Sequence, residues 1–369
     1  MSLFPGLQEA LALCIRERLT FAAFRTPGGS VRIWAQVGPG TEGADWPGLA
    51  ALEKVFVVAP FTIDPQRIPF IRADVELTFT AHEEEGTGLQ ACRGSDGMPD
   101  PTDAPTGKQE FMDAVDAAKQ ACAEGRLGKV VLSRVKEADI PASSWPDLFI
   151  WAMQDNPHTL VAMACTPEHG LWMGASPERL VKASGDHVRV DSIAATRPVE
   201  AVPPTIREWG EKELDEQARV TEYLRDLFAE LRMHGTKVQG PQVLKAGPVA
   251  HLHTVLEAEL HGTSLATLVS RLHPTPAVCG TPTDKARRFI RHHEGHDRSL
   301  YAGFWGPWNM DGTTELFVNL RCMRLKGGGA QLMVGAGITA GSDPAMEWTE
   351  TERKARTWLR ALENGAQAN

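Results

Sequence analysis

The sequence predicts an α+β fold, one large unit built on a mostly antiparallel sheet system. Strand-like segments occur in adjacent pairs, at 160–165 with 170–174 and at 301–308 with 315–325, rather than in strict β–α–β alternation. The second pair is joined by Asn309-Met310-Asp311-Gly312, a run suited to a hairpin turn. The chain has 369 residues, 42% of them hydrophobic and 23% charged, which is globular composition and enough length for two domains or one large unit.

The elements follow in order. Residues 8–19 are helix-like, 31–37 and 54–59 are strand-like, and 75–80 alternates with period two. The stretch 86–107 is rich in Gly, Pro and Asp and reads as a long surface loop. It divides a scaffold part, 1–107, from a catalytic region, 108–369, within the same fold. Beyond it, 109–124 is a helix ended by Gly125, and 129–135 is a strand. Period two puts Lys129, Val131 and Ser133 on one face of that strand, with Val130 and Leu132 on the other. A long helix is expected over 211–231, a strand over 255–260, and helices over 264–272 and 283–293. A strand at 331–334 and a helix over 345–363 close the chain.

Charge and cysteines narrow the function. Lys and Arg number 38 against 47 Asp and Glu, a net charge of −9, which argues against general nucleic-acid binding. An anionic substrate therefore needs a local device, a metal ion or a few placed cations. The six cysteines are far apart, without a CxxC, so neither a disulfide framework nor a structural zinc site is expected, and a cytoplasmic location fits best. No signal peptide and no membrane span are expected. A P-loop, a Rossmann fingerprint and a GxSxG elbow are all missing.

Four features carry candidate chemistry. Glu213 with Glu216, and Glu347 with Glu350, are three apart on helices, so each pair shares a face, and Lys354 joins the second. Two such faces form either an oxygen-rich site for Mg²⁺ or solvated acidic surfaces. Lys129 begins an apolar strand and is either an edge lysine or a desolvated general base. Gly174-Ala-Ser-Pro-Glu178 fixes one carboxylate after a strand, and Ser176-Pro177 also reads as the start of a helix. Gly335-Ala-Gly337 lets backbone N–H groups approach an anion. His292-His293-Glu294-Gly295-His296 is not HExxH, and metal binding is not expected there.

Together these segments resemble the chorismate-utilising enzyme family, which includes anthranilate, aminodeoxychorismate, isochorismate and salicylate synthases. The resemblance covers about two-thirds of the chain in collinear order: GKVVLSR, GASPERL, SIAATRP, KELDEQARV, HLHTVLEAEL, LHPTPAVCGTP, DRSLYAGFWG, LFVNLRCMRL, GAGITAGSDP and EWTETERK. It implies two stacked sheets flanked by helices. It implies Glu216 and Glu350 as Mg²⁺ ligands, with Glu213 and Glu347 supporting them. Tyr301 and Arg321 would hold the enolpyruvyl carboxylate of chorismate, Gly335 and Gly337 would approach a substrate carboxylate, and Lys354 would stand at the metal-side carboxylate. Thr196 and His251 would line the site.

Within the family, HPTPAVCGTP resembles the isochorismate synthases. Ala277 stands where relatives that add ammonia or eliminate pyruvate carry Thr or another polar residue, and Thr283 follows Pro282 where a lysine is usual. The resemblance thus implies reversible, Mg²⁺-dependent conversion of chorismate to isochorismate, with Lys129 activating water for C2 and Glu178 protonating the departing C4 hydroxyl. Lys129 must then be partly neutral and Glu178 protonated at working pH. No glutaminase partner is needed, and a monomer is expected. Salicylate synthase is the alternative. Two positions depart from the family pattern, Ala195 for Gly and Gln217 for His.

Overall fold

The computed structural model describes residues 6–80, 84–97, 99, 103–246 and 249–366. Two antiparallel sheets form its frame, one of ten strands and one of nine. The first hundred residues belong to both. Phe21–Arg25, Val31–Ala35, Val75–Phe79 and Glu84–Glu85 extend the larger sheet, while Glu42–Ala44, Val55–Ala59 and Ile68–Arg72 extend the smaller.

Alternation along the strands separates two cores. In Leu160–Thr166, Leu160, Ala162 and Ala164 enter a core shared by both sheets, and Val161, Met163 and Cys165 enter a second one. Helices Leu7–Arg16, Trp145–Asp155 and Pro344–Ala366 cover that second core with Leu11, Phe149, Ala355 and Trp358. Because both faces of the larger sheet are buried, its central strands read as continuous apolar runs. Helix Glu211–Glu230 packs on the smaller sheet through Leu224, Leu227 and Phe228. Helix Leu265–Leu272 is capped by Ser264, whose hydroxyl accepts from the Thr267 N–H at 3.0 Å. Each such large apolar side chain contributes about 1.5–3 kcal/mol by leaving water.

Two expectations are corrected, and both corrections build the site. Ser176-Pro177 does not start a helix. Strand Gly170–Ser176 lies in the larger sheet and strand Arg179–Ser184 in the smaller, so Pro177 and Glu178 form a direct crossing between them. The single strand expected at 315–325 is two, Thr313–Val318 in the smaller sheet and Cys322–Lys326 in the larger. The chain crosses at Asn319-Leu320-Arg321, where Arg321 takes φ 46°, and a uniform apolar pattern cannot reveal such a bend. The two crossings lie side by side. The Val318 N–H donates to the Glu178 carbonyl at 2.9 Å, the Ala175 N–H donates to the Arg321 carbonyl at 3.1 Å, and the Ser176 hydroxyl donates to the Val318 carbonyl.

Candidate active site

Strand Lys129–Ala138 lies between Gly280–Thr281 and Gly329–Ile338. Lys129 is opposite Thr281, Val131 opposite Gly337, and Ser133 opposite Gly335. Opposed residues point to the same side, so Lys129 and both glycines share one face. A Cβ on Gly337 would lie 2.7 Å from Lys129 Cε, and one on Gly335 would lie 2.6 Å from the Tyr301 hydroxyl. Glycine is thus needed at both positions to let these side chains cross the strand. Lys354, from helix Pro344–Ala366, reaches the same strand and donates to the Gly335 carbonyl at 2.8 Å.

Glu178 stands at the first crossing. A small cleft there is lined by Glu178, Asp191, Thr275, Pro276 and Ala277 among others. Burial pushes the Glu178 carboxyl up to about 7, the Lys129 charge opposes the shift, and the Asp191 charge adds to it. Asp191 is held ionised, below the ordinary range: burial works against this and is overcome by hydrogen bonding from His253 and by the Arg179 and Arg189 cations. His253 Nε2 lies 2.9 Å from Asp191, and Arg179 lies 3.0 Å from it. Sequence reasoning missed Asp191, His253 and Arg179. The one available signal was Asp191 directly before the SIAATRP run, inside strand His187–Pro198.

Cations gather around Lys354. Burial, with the nearby Lys129 and Arg321 charges, lowers the Lys354 ammonium below the usual lysine value, and Glu350 opposes the shift. Burial also lowers Arg321. His251 is pushed down to about 4 by burial, then by Arg321 and Lys354, so it is neutral near pH 7. Tyr301 is buried and its hydroxyl is raised, so it is a donor rather than a phenolate. A protein of net charge −9 here places two cations, Lys129 and Arg321, near the Lys354 ammonium, a surface suited to a dianion.

The carboxylates divide between cations. Lys129 Nζ donates to Glu216 at 2.8 Å. Glu350 lies 3.9 Å from Lys354 and 3.7 Å from Arg353. Glu213 forms a two-pronged pair with Arg197 and accepts from the Gly210 N–H at 2.9 Å, capping its own helix. Among the described residues no three His, Cys, Asp or Glu side chains converge to hold a metal unaided. That donor set still suits Mg²⁺, which takes one or two carboxylates, several waters and an anionic substrate group. Glu216 and Glu350 are each 36% exposed, whereas Glu213, 21% exposed, is held in a two-pronged pair by Arg197.

Both departures have local accounts. Ala195 takes φ 52° at a bulge where Thr196 pairs with His251, a conformation that favours glycine and costs about 1 kcal/mol for alanine. The Thr196 side chain lies outside the described ones. Gln217 is buried and bonds Ser192 and Thr254 at 3.0–3.2 Å, tying its helix to the sheet.

Residues 87–363 match the family described as chorismate binding enzyme, and the chain belongs to that enzyme family. Isochorismate synthase DhbC of Bacillus subtilis is 33% identical over 270 residues, 69% of this chain and 68% of that protein. Isochorismate synthase EntC of Escherichia coli K12 is 30% identical over 259 residues, 68% of this chain and 66% of that one. A crystal structure described as the 2,3-dihydroxybenzoate-specific isochorismate synthase DhbC of Bacillus anthracis superposes with a TM-score of 0.73 at 26% identity, covering 96% of this chain and 99% of that one. None of the six cysteines is in a disulfide, and no described helix is long and apolar enough to cross a membrane.

Proposed function

We propose that the protein is an isochorismate synthase that interconverts chorismate and isochorismate with Mg²⁺. The observation that carries this reading is Glu178, a carboxyl raised to about 7 by burial, with the Lys129 ammonium near enough to oppose that shift. Water addition at C2 with loss of the C4 hydroxyl needs a base and an acid acting together, worth roughly 10²–10⁴-fold. Lys129 takes the proton of the attacking water, and Glu178 gives its proton to the departing oxygen. Arg321 and Tyr301 hold the enolpyruvyl carboxylate, while Lys354 and neutral His251 line the ring side. Glu216 and Glu350 would hold Mg²⁺, which when bound neutralises and orients the ring carboxylate. Glu216 accepts from Lys129 at 2.8 Å, so Lys129 would have to share this carboxylate with Mg²⁺. Water, not ammonia, is the nucleophile, so no glutaminase is required. Ala277 beside Glu178 supports stopping at isochorismate.

The test is a product assay with purified protein and chorismate, with Mg²⁺ or EDTA. Isochorismate approaching a fixed ratio to chorismate only with Mg²⁺ is expected. Salicylate with pyruvate would overturn the argument from Ala277, and no conversion would overturn the reading.

A further inference from the structure

The run His292-His293-Glu294-Gly295-His296 forms no metal site among the described residues. Helix Thr283–His293 ends within it, with Glu294 as the C-cap, and the Glu294 side chain is buried. Its carboxylate and the Arg298 guanidinium, both side chains 3% exposed, pair at 2.6 Å. Their other hydrogen bonds go to backbone, and His296 Nε2 lies 3.6 Å from the Glu294 carboxylate. Arg298 donates to the Val131 carbonyl at 2.7 Å and the Val278 carbonyl at 3.1 Å. Glu294 accepts from the Ser133 N–H at 2.7 Å. The guanidinium lies 4.4 Å from the Phe61 ring and 5.8 Å from the Tyr301 ring. His296 Nε2 lies 2.9 Å from the Ser133 hydroxyl.

These bonds join three segments of the site. Val131 and Ser133 follow Lys129 on its strand, Val278 follows Ala277 in the loop facing Glu178, and Tyr301 lies beside Arg298. The backbone already ties the two segments through the Val131 N–H to the Cys279 carbonyl at 2.9 Å and the Gly128 N–H to the Thr281 carbonyl at 2.8 Å, and the ion pair braces the strand further along, at Val131 and Ser133. A buried ion pair is a poor stabiliser, because apolar residues of similar volume often serve as well. What this pair supplies is a planar fork with fixed spacing. We propose that Glu294 and Arg298 are positioning residues that set the distance between the Lys129 strand and the Ala277 loop. This rests on the isochorismate synthase reading of the same cleft.

Three variants test it. Arg298→Lys keeps the charge but cannot reach Val131, Val278 and Glu294 from one plane. Glu294→Asp keeps the charge and shortens the reach. The double variant Glu294→Gln/Arg298→Met removes both charges, so it keeps the test open where a single change fails to fold. For each, kcat, KM for chorismate, thermal midpoint and amide exchange at Ser133 are measured. Folded variants should lose about 10–100-fold in kcat with KM little changed, and the Ser133 amide should exchange faster. A folded variant whose kcat stays within about twofold of the parent overturns the proposal. Unchanged Ser133 exchange overturns it as well, and that readout stands even where the parent protein converts no chorismate, an outcome that refutes the functional reading separately.

Discussion

Gly337→Ala should separate activity from stability. Gly337 lies in a strand and is not in the left-handed region, so its backbone accepts alanine. Such a change by itself stabilises by about 0.4–1 kcal/mol through the unfolded state. The added methyl would lie 2.7 Å from Lys129 Cε and 3.4 Å from its Nζ. Ordinary carbon contacts are about 3.5–4.0 Å, so the lysine tip must retreat by about 1 Å. The tip is flexible and can do so without unfolding anything. The 2.8 Å pair with Glu216 is then lost or redrawn, and the base leaves its place. A displacement of about 1 Å costs about 10²-fold in rate, or about 2.7 kcal/mol of barrier. Gly335→Ala is the contrast. Its methyl would meet the Leu132 carbonyl oxygen at 2.8 Å, which is backbone in the neighbouring strand and cannot rotate away. That variant should lose about 1–3 kcal/mol of stability. The assay is kcat by product chromatography beside a thermal melt. A Gly337→Ala protein with an unchanged melt and kcat within about threefold of the parent would refute the placement of Lys129 as base.

Lys129→Gln and Glu178→Gln should each lower turnover at least about 10²-fold while chorismate still binds by calorimetry; near-parental turnover in either removes its assigned role. Because Glu178 must be protonated to act, kcat/KM should fall as pH rises through about 7, and a flat profile there would speak against it as the acid. The same raised value means that the folded state binds this proton more tightly than the unfolded chain. Stability should therefore decline from the ordinary carboxylate range up to about pH 7, and Glu178→Gln, followed by melts across that range, should flatten the decline. Glu216→Ala or Glu350→Ala should abolish both Mg²⁺ dependence and activity in a Mg²⁺ titration; retained Mg²⁺ response in both would place the metal elsewhere. A dianionic substrate should relieve the repulsion among Lys129, Lys354 and Arg321, raising the melting point by the equivalent of about 2.7 kcal/mol at 100 times Kd, an effect that weakens with salt.

Local pattern made most of the elements legible. The helices at Lys108–Ala123, Thr283–His293 and Pro344–Ala366 lie within a few residues of their sequence limits, because their apolar period and their ends agree. The crossings were not legible. GLWMGASPERL and LFVNLRCMRL read as one helix start and one strand, since strands buried on both faces have no polar side to mark where a strand changes sheet. The strands His187–Pro198 and His234–Ala246 were also missed. Their charged and polar residues at the smaller sheet's margin, among them Arg189, Lys237 and Lys245, hide the alternation.

The site was legible as a set of residues but not as a set of charges. Lys129, Glu178, Glu216, Arg321 and Lys354 are 225 positions apart at the extremes, and resemblance alone brought them to one cleft. Their protonation depends on neighbours that no motif names. Glu178 is raised by burial at a crossing and by Asp191 from another strand, and Asp191 stays ionised only because His253 and two arginines hold it. Lys129 sits where it does because Gly337, 208 positions away in sequence but on the neighbouring strand, has no side chain. The raised Glu178 carboxyl therefore follows from the crossing that buries it rather than from its own motif. Moving either crossing by one residue would turn Glu178 or Arg321 to the opposite face and disperse the cleft while leaving every motif in the chain intact.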